Sequence, residues 1–505
     1  MQRLKQVLKW FIYILPATLF FSYYPVISFG ANSTMNFELS LPLIWLVLFV
    51  ILAGVLLVKD KKVRKSFGDV RQKWVLCLFP VFASLSVIWS ANKLRGILTV
   101  GILWLVYLAV LAIWFLVKDF LKDPNFKKIF LRWFLGSTLV ICIWCVVQCI
   151  LDLAGVGQNV SLMCNGCTTR MFGFPHPNGF AIEPQFMGNL LIAPTLVVGW
   201  LTLHSRPRPA GPSPRAAGAN SRAAALRNAA SLKCHTTPSS GEHIAAKITP
   251  ASLKYHTILF FIFTSTLFLT FSRGAIYAFV VGMIFFTVMQ VVKTKKWRAM
   301  LLWPIVILAF IFTLNLQGIF AQLSHTNDTY FTGISKALNH LSLGVIDFGG
   351  EKTGNAGALG DGDEAVEPES VFDGYVEEST NIRMELSAAA FDLWKSDPRY
   401  VIFGVGAGGA GQALYDAELT NSPKEIVQNE YMSLLLEFGL VGVMLIIMTV
   451  IILARELLEM QTAGVTLAII VAYAVSLCFF AGLANALQIY LLPAVLISLR
   501  KKLVS

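Results

Sequence analysis

Three arginines and one loop end carry the residues best suited to chemistry. Arg170 stands just ahead of Phe172-Gly173-Phe174-Pro175-His176-Pro177-Asn178-Gly179-Phe180-Ala181. Arg273 lies within Thr270-Phe271-Ser272-Arg273-Gly274-Ala275, and Arg383 falls early in a stretch of helical spacing. Arginine keeps its charge, and its planar fork matches phosphate oxygens. Arg273 is the sharpest of the three, because it sits in a tight turn between two apolar runs, where a cation is costly unless paired. Singly, each arginine reads as well as a snorkelling side chain or the partner of a carboxylate such as Glu183. Three at one level favour an anionic ligand. His176 is fixed between two prolines and reads equally as a cap or as a substrate contact beside Asn178. Glu183 falls in the first turn or so of the following apolar run, where an acid is usually functional or paired. The polar end Val427-Gln428-Asn429-Glu430-Tyr431 leads straight into an apolar helix. It delivers Gln428, Asn429, Glu430 and Tyr431 to a membrane surface.

The elements that must position these groups are membrane helices. Of 505 residues, 56% are hydrophobic and only 14% charged, well below the charged quarter of a soluble domain. The apolar residues come in runs long enough to cross roughly 30 Å of hydrocarbon. The fold class is therefore an all-α polytopic membrane protein with about twelve transmembrane helices. Hydropathy places them at 10–28, 39–58, 74–90, 96–117, 129–154, 180–203, 257–271, 275–292, 301–312, 433–453, 464–482 and 487–499. The first is too long and aromatic for a cleaved signal peptide and reads as retained.

Charge sets the orientation. With Arg3, Lys5 and Lys9 inside, most Lys and Arg fall on the same side, including Lys59 to Lys65, Lys118 to Arg132, Lys293 to Arg298 and Arg500 to Lys502. Both termini are then cytoplasmic. The formal charge of +12 sorts by side of the membrane and does not imply nucleic acid. The chain divides into helices over 1–316, one large outer loop over 317–430, and helices over 431–505. Within the first part, 204–255 reads as a disordered cytoplasmic loop rich in Pro, Ala, Ser and Arg.

The outer loop is uneven. Residues 349–374 are rich in Gly and acid, and Asp361-Gly362-Asp363-Glu364 lacks the later ligands of a calcium loop. Residues 381–396 predict an amphipathic surface helix with Ser379 or Thr380 as N-cap and Ile382, Leu386, Ala389 and Leu393 on one face. Residues 319–343 predict a second, weaker one. Phe403-Gly404-Val405-Gly406-Ala407-Gly408-Gly409-Ala410-Gly411 has no buried strand before it and no acidic ribose partner after it. It reads as a loop for close backbone approach to a ligand or helix, rather than a nucleotide loop. Cys164 and Cys167 lack a second pair outside for zinc; they read as a local disulfide or a free pair.

Together these pieces resemble the O-antigen ligase and O-antigen polymerase superfamily of bacterial membrane proteins. The resemblance rests on Arg170 with Gly173 to Ala181, Phe271 to Ala275, Arg383 with Pro398 and Phe403 to Gly408, and Asn429-Glu430-Tyr431 with Leu434 to Gly442. It implies a GT-C-like enzyme of the bacterial cytoplasmic membrane that transfers glycan at the outer face without metal or cofactor. The implied donor is a glycan on undecaprenyl pyrophosphate. The implied acceptor is a glycan or lipid core, with membrane lipids and a chain-length regulator as further candidate partners. Arg273 would act in catalysis with Glu430 and Gln428. Arg170, His176, Asn178, Glu183, Arg383, Asn429 and Tyr431 would bind substrate. One departure stands out: Gln428 occupies the position of the family's loop histidine, and glutamine cannot take a proton near neutral pH. Either Glu430 is the base, or Gln428 orients the acceptor, or the catalyst has diverged. This favours a polymerase over a ligase to lipid A core. A lipid-linked sugar transporter and a protein O-oligosaccharyltransferase are the alternatives.

Overall fold

The computed structural model describes residues 1–22, 25–32, 35–61, 63–64, 73–156, 170–171, 174–181, 184–204, 250–324, 329–342, 378–458, 463–479 and 487–498. Glu183, Cys164 and Cys167, residues 205–249 of the loop expected over 204–255, and the linker expected over 349–374 lie outside the described residues, while residues 204 and 250–255 of that loop are helical.

In chain order the helices are α1 (Gln2–Leu19), α2 (Leu41–Lys59), α3 (Leu78–Ser86), α4 (Lys93–Phe120) and α5 (Phe126–Leu153). Then come α6 (Pro184–His204), α7 (Pro250–Leu269), α8 (Arg273–Thr294), α9 (Leu302–Leu323) and α10 (Tyr330–Leu341). The last are α11 (Glu378–Ser396), α12 (Pro398–Phe403), α13 (Ala410–Asp416), α14 (Glu430–Leu458), α15 (Ala463–Ser476) and α16 (Leu487–Ser498). Among the described residues seven helices are long and apolar enough to cross a bilayer: α2, α4, α5, α6, α8, α9 and α14. Apolar helices over α3, α7, α15 and α16 are shorter.

Three sequence expectations change. The first span, expected over 10–28, ends as helix at Leu19, and Pro25–Asn32 pairs antiparallel with Met35–Ser40 as strands β1 and β2. Pro25 fixes its own backbone and has no N–H for a helical bond, and Val26 and Ile27 favour extended structure. The span expected over 301–312 runs to Leu323 as α9, through Asn315 and Gln317, whose polarity hid the last three turns. Finally, α11 begins at Glu378, so Ser379 and Thr380 lie inside the helix rather than capping it.

One main apolar core joins α1, α2, α4 to α9, α15 and α16. Helix α8 packs against α15 and α6, and α7 packs between α6 and α9. At one end of this bundle Lys5 bridges Asp60 at 2.9 Å and Asp119 at 3.3 Å, and Lys9 meets Asp123 at 2.8 Å. Helix α5 starts beside that ionic cluster and, at 1.5 Å per residue, ends about 42 Å away. There its Gln148 holds the 176–179 loop.

A second, smaller core forms where the segment after α10 returns to the bundle. It comprises Ala390, Val405, Ala410, Leu414, Val427 and Leu436. The glycine-rich run is its hinge. Gly404, with φ of +74°, ends α12, and Gly439 interrupts α14 with φ of +58° and ψ of −168°. That interruption takes carbonyls near the kink out of the helical ladder. Leu436 O then accepts from Val405 N at 2.8 Å, and Glu437 O from Gly406 N at 2.9 Å. The Glu437 carboxylate accepts from Gly408 N at 3.0 Å. On the other side Ser90 Oγ donates to Ala407 O at 2.8 Å, and Ala407 N donates to Ser86 Oγ at 3.1 Å. A Cβ at Gly404 would lie 2.4 Å from Glu437 backbone, and one at Gly439 would lie 2.5 Å from Ile402 backbone. The run is a backbone-to-backbone latch between α3, α4, α12 and α14.

The latch predicts opposite effects for two glycines. Gly439→Ala should destabilise by about 1–3 kcal/mol, from its left-handed backbone alone, with the clash adding to this. Gly101→Ala, where a Cβ meets nothing within 4 Å, should stabilise α4 by ~0.5–1 kcal/mol. Thermal unfolding in detergent reads both; a Gly439→Ala protein as stable as wild type would contradict the latch.

Candidate functional site

The turn between α7 and α8 is built around one strained residue. Phe271 is non-glycine yet has φ of +50°, a conformation costing about 1–3 kcal/mol unless its surroundings impose it. They do. Phe271 N donates to Phe268 O at 3.0 Å, closing the end of α7. Ser272 caps α8, its hydroxyl accepting from Ala275 N at 3.3 Å. Phe271 O faces His340 Nε2 at 3.2 Å, and its ring meets the edge of His176 at 5.2 Å between centroids. Both histidines are buried. Close approach by α6 completes the frame: a Cβ at Gly188 would lie 2.7 Å from Ala275 Cβ and 3.0 Å from Thr270 Oγ1. Arg273 is thereby the first residue of α8, where its guanidinium and the positive end of the helix dipole act in the same sense.

A second turn, Leu477 to Phe479, gathers the remaining groups. Phe479 packs on the first turn of α8: a Cβ at Gly274 would lie 2.8 Å from Phe479 Cβ, and the Tyr277 and Phe479 rings are 6.2 Å apart. Phe479 O accepts from Gln185 Nε2 at 2.5 Å, and Gln185 Oε1 accepts from Arg383 Nη1 at 3.1 Å. Glu430 N donates to Leu477 O at 3.0 Å, which anchors the start of α14 beside the same turn. The Glu430 side chain is buried, only 5% exposed. An acid in the first turn of a helix is stabilised by the dipole. Tyr431 Oη donates to Ala474 O at 2.6 Å on the helix that leads into this turn.

The elements carrying Arg273, Arg383, His176 and Glu430 therefore meet through Phe271 and Phe479. Other expected site residues take different positions. Asn429 is the N-cap of α14, its Oδ1 accepting from Tyr431 N at 3.0 Å and Met432 N at 3.3 Å. Asn178 is buried, and its Oδ1 accepts from Gln148 Nε2 at 3.1 Å, which steadies the loop rather than lining a surface. Gln428 is half-exposed in the turn ahead of α14. Arg170 pairs through its backbone with Pro175 in a two-residue hairpin, β3 (Arg170–Met171) with β4 (Phe174–Pro175). On α11, Ala389 and Leu393 of the expected face pack on the small core with Ala390 and Trp394, while Ile382 is 47% exposed. Arg383, one residue on, is half-buried and reaches Gln185.

Sequence reasoning missed His340, Gln185, Tyr277 and Phe479. Only His340 carried a signal, as the one histidine on the apolar-periodic stretch that forms α10. The others are ordinary residue types made important by contacts far apart in sequence. Among the described residues no three His, Cys, Asp or Glu side chains form a group that could hold a metal.

No curated protein and no solved structure matches the chain. Residues 258–447 match the family model Wzy_C, described as O-antigen ligase. The matched stretch runs from α7 into α14 and contains Arg273, His340, Arg383 and Glu430. Over that stretch the chain is similar to the O-antigen ligase family.

Proposed function

We propose that this protein polymerises or ligates glycan units carried on undecaprenyl pyrophosphate, at the outer face of the bacterial cytoplasmic membrane. The family match supports a lipid-linked glycan ligase or polymerase in general. The observation that carries the finer reading is the meeting of two arginine helices and the Glu430 helix start at the Leu477–Phe479 turn. Two helices that each carry an arginine, meeting a helix start that carries a buried carboxylate, suit a reaction whose leaving group is a pyrophosphate and whose nucleophile is a hydroxyl. The site lies at the end of α5 opposite the Lys5–Asp60–Asp119 cluster, and the charge pattern puts that cluster inside.

In this reading Arg273 and Arg383 hold the donor pyrophosphate. The acceptor hydroxyl oxygen attacks the anomeric carbon of the donor glycan. The carbon–oxygen bond to the pyrophosphate breaks, and the lipid pyrophosphate leaves with the bonding electrons. Fixed arginines stabilise the charge that develops on it, with no metal needed for that task. The hydroxyl proton passes to Glu430, and Gln428 orients the acceptor from the adjoining turn. Glutamine at position 428 favours chain extension between repeat units over transfer to a lipid core.

Arg273→Ala and Arg383→Ala should each lower glycan transfer by ~10²-fold or more, with inserted protein unchanged. Purified protein supplied with lipid-pyrophosphate-linked oligosaccharide, with product length read on gels, makes the check. Full-length product from both variants, or movement of donor across vesicles without any extension, would sink the assignment. Glu430→Gln should cost ~10²–10⁴-fold in kcat as loss of a general base. Gln428→Ala should retain the base and lose far less. Transfer should also persist in excess EDTA; abolition that added Mg²⁺ reverses would contradict charge stabilisation by arginine alone.

A further inference from the structure

The outer helix α10 has no part in the reaction as written, yet its last turn is tied to the Arg273 turn by two bonds from neighbouring residues. His340 Nε2 lies 3.2 Å from Phe271 O. A carbonyl only accepts, so Nε2 carries the proton. One residue on, Leu341 O accepts from the Tyr277 hydroxyl, which reaches back from the second turn of α8. The two bonds run in opposite directions and bracket Phe271, Ser272 and Arg273. Helix α10 is itself seated firmly on α9: a Cβ at Gly333 would lie 2.6 Å from Ala321 Cβ and 2.8 Å from Gln317 O. Its N-terminus is capped by Thr329, whose hydroxyl accepts from Thr332 N at 3.2 Å.

The clamp acts where the backbone most needs support. Phe271 is held in the left-handed region, and such a conformation persists only when its surroundings over-determine it. Released, Phe271 would relax toward φ below zero, and the start of α8 would turn with it. We propose that His340 is a positioning residue for Arg273: with Tyr277, it locks the Phe271 turn and so sets the place of the Arg273 guanidinium. This rests on the reading of Arg273 as a pyrophosphate ligand. It adds that α10 couples the outer segment to donor binding, because any shift of α10 moves the Arg273 turn.

The test is the affinity of the full-length protein in detergent for farnesyl pyrophosphate. Arg273→Ala should weaken binding about 10-fold or more, and His340→Phe, which fills the space but donates nothing, should do the same. The double variant should lose little beyond either single, because both changes remove one interaction. His340→Gln keeps an N–H near the Nε2 position and should restore most of the affinity. Tyr277→Phe removes the second bond with almost no change of shape and should weaken binding in the same direction, which keeps the test decisive should His340→Phe not fold. Unchanged affinity in Arg273→Ala overturns the pyrophosphate reading, and the clamp's purpose with it. Weakened Arg273→Ala beside unaffected His340→Phe or Tyr277→Phe overturns the clamp alone, as do losses that multiply in the double variant.

Discussion

The backbone of Gly274 and the side chain of Phe479 approach so closely that a methyl on Gly274 would lie 2.8 Å from Phe479 Cβ. The candidate site depends on that contact. It sets the Leu477–Phe479 turn against the first turn of α8, and three separate segments then attach to that turn. Gln185 brings the start of α6 and, through its other amide atom, Arg383. Leu477 O brings the start of α14 with Glu430. Residues 185, 274, 383, 430 and 479 are scattered over most of the chain, so nothing local holds them together. Packing between helices without a large hydrophobic driving force needs close backbone approach, and small residues supply it. Gly188 against Ala275 and Gly274 against Phe479 are two cases at one site.

A second constraint acts from the far side of α14. The Gly404–Gly439 latch lets the kinked α14 give two carbonyls to the glycine-rich run. That run is also bonded to Ser86 and Ser90 at the junction of α3 and α4. The helix that starts at Glu430 is thus fixed at its first residue by Leu477 and two turns later by the latch. The same run closes the small core on which α11 lies, and so places Arg383. Strain at Phe271 on one side and a kink that only glycine tolerates at Gly439 on the other frame the site.

Much of this was legible in the sequence, for identifiable reasons. Apolar runs pointed to the membrane helices, because lipid imposes length and hydropathy directly. The glycine spacing from Gly404 to Gly411 pointed to close backbone approach. It could not say that the partners are the Ser86 and Ser90 hydroxyls, the Leu436 carbonyl and the backbone and side chain of Glu437. Helix ends were less legible. Asn315 and Gln317 lowered the hydropathy of a helix that runs on to Leu323, and aromatic residues around Pro25 resembled a span where the chain forms a hairpin. Arg273, Arg383 and Glu430 stood out because an ionisable residue set against an apolar run is costly unless paired. Gln185, Tyr277 and Phe479 did not, because their importance comes from partners up to 294 residues away. Asn429 drew attention as a substrate ligand, but its spacing before α14 is equally that of an N-cap, the place it occupies.

The central claim is that Arg273 and Arg383, from different helices, serve one anionic group. A double-mutant cycle on glycan transfer tests it most directly: kcat/KM for wild type, Arg273→Ala, Arg383→Ala and the double variant, with a single lipid-pyrophosphate-linked donor. Two arginines on the same pyrophosphate predict a coupling of about 1–3 kcal/mol, so that the double variant falls well short of the product of the single losses. Losses that multiply cleanly, as they do for independent sites, would contradict a shared pyrophosphate.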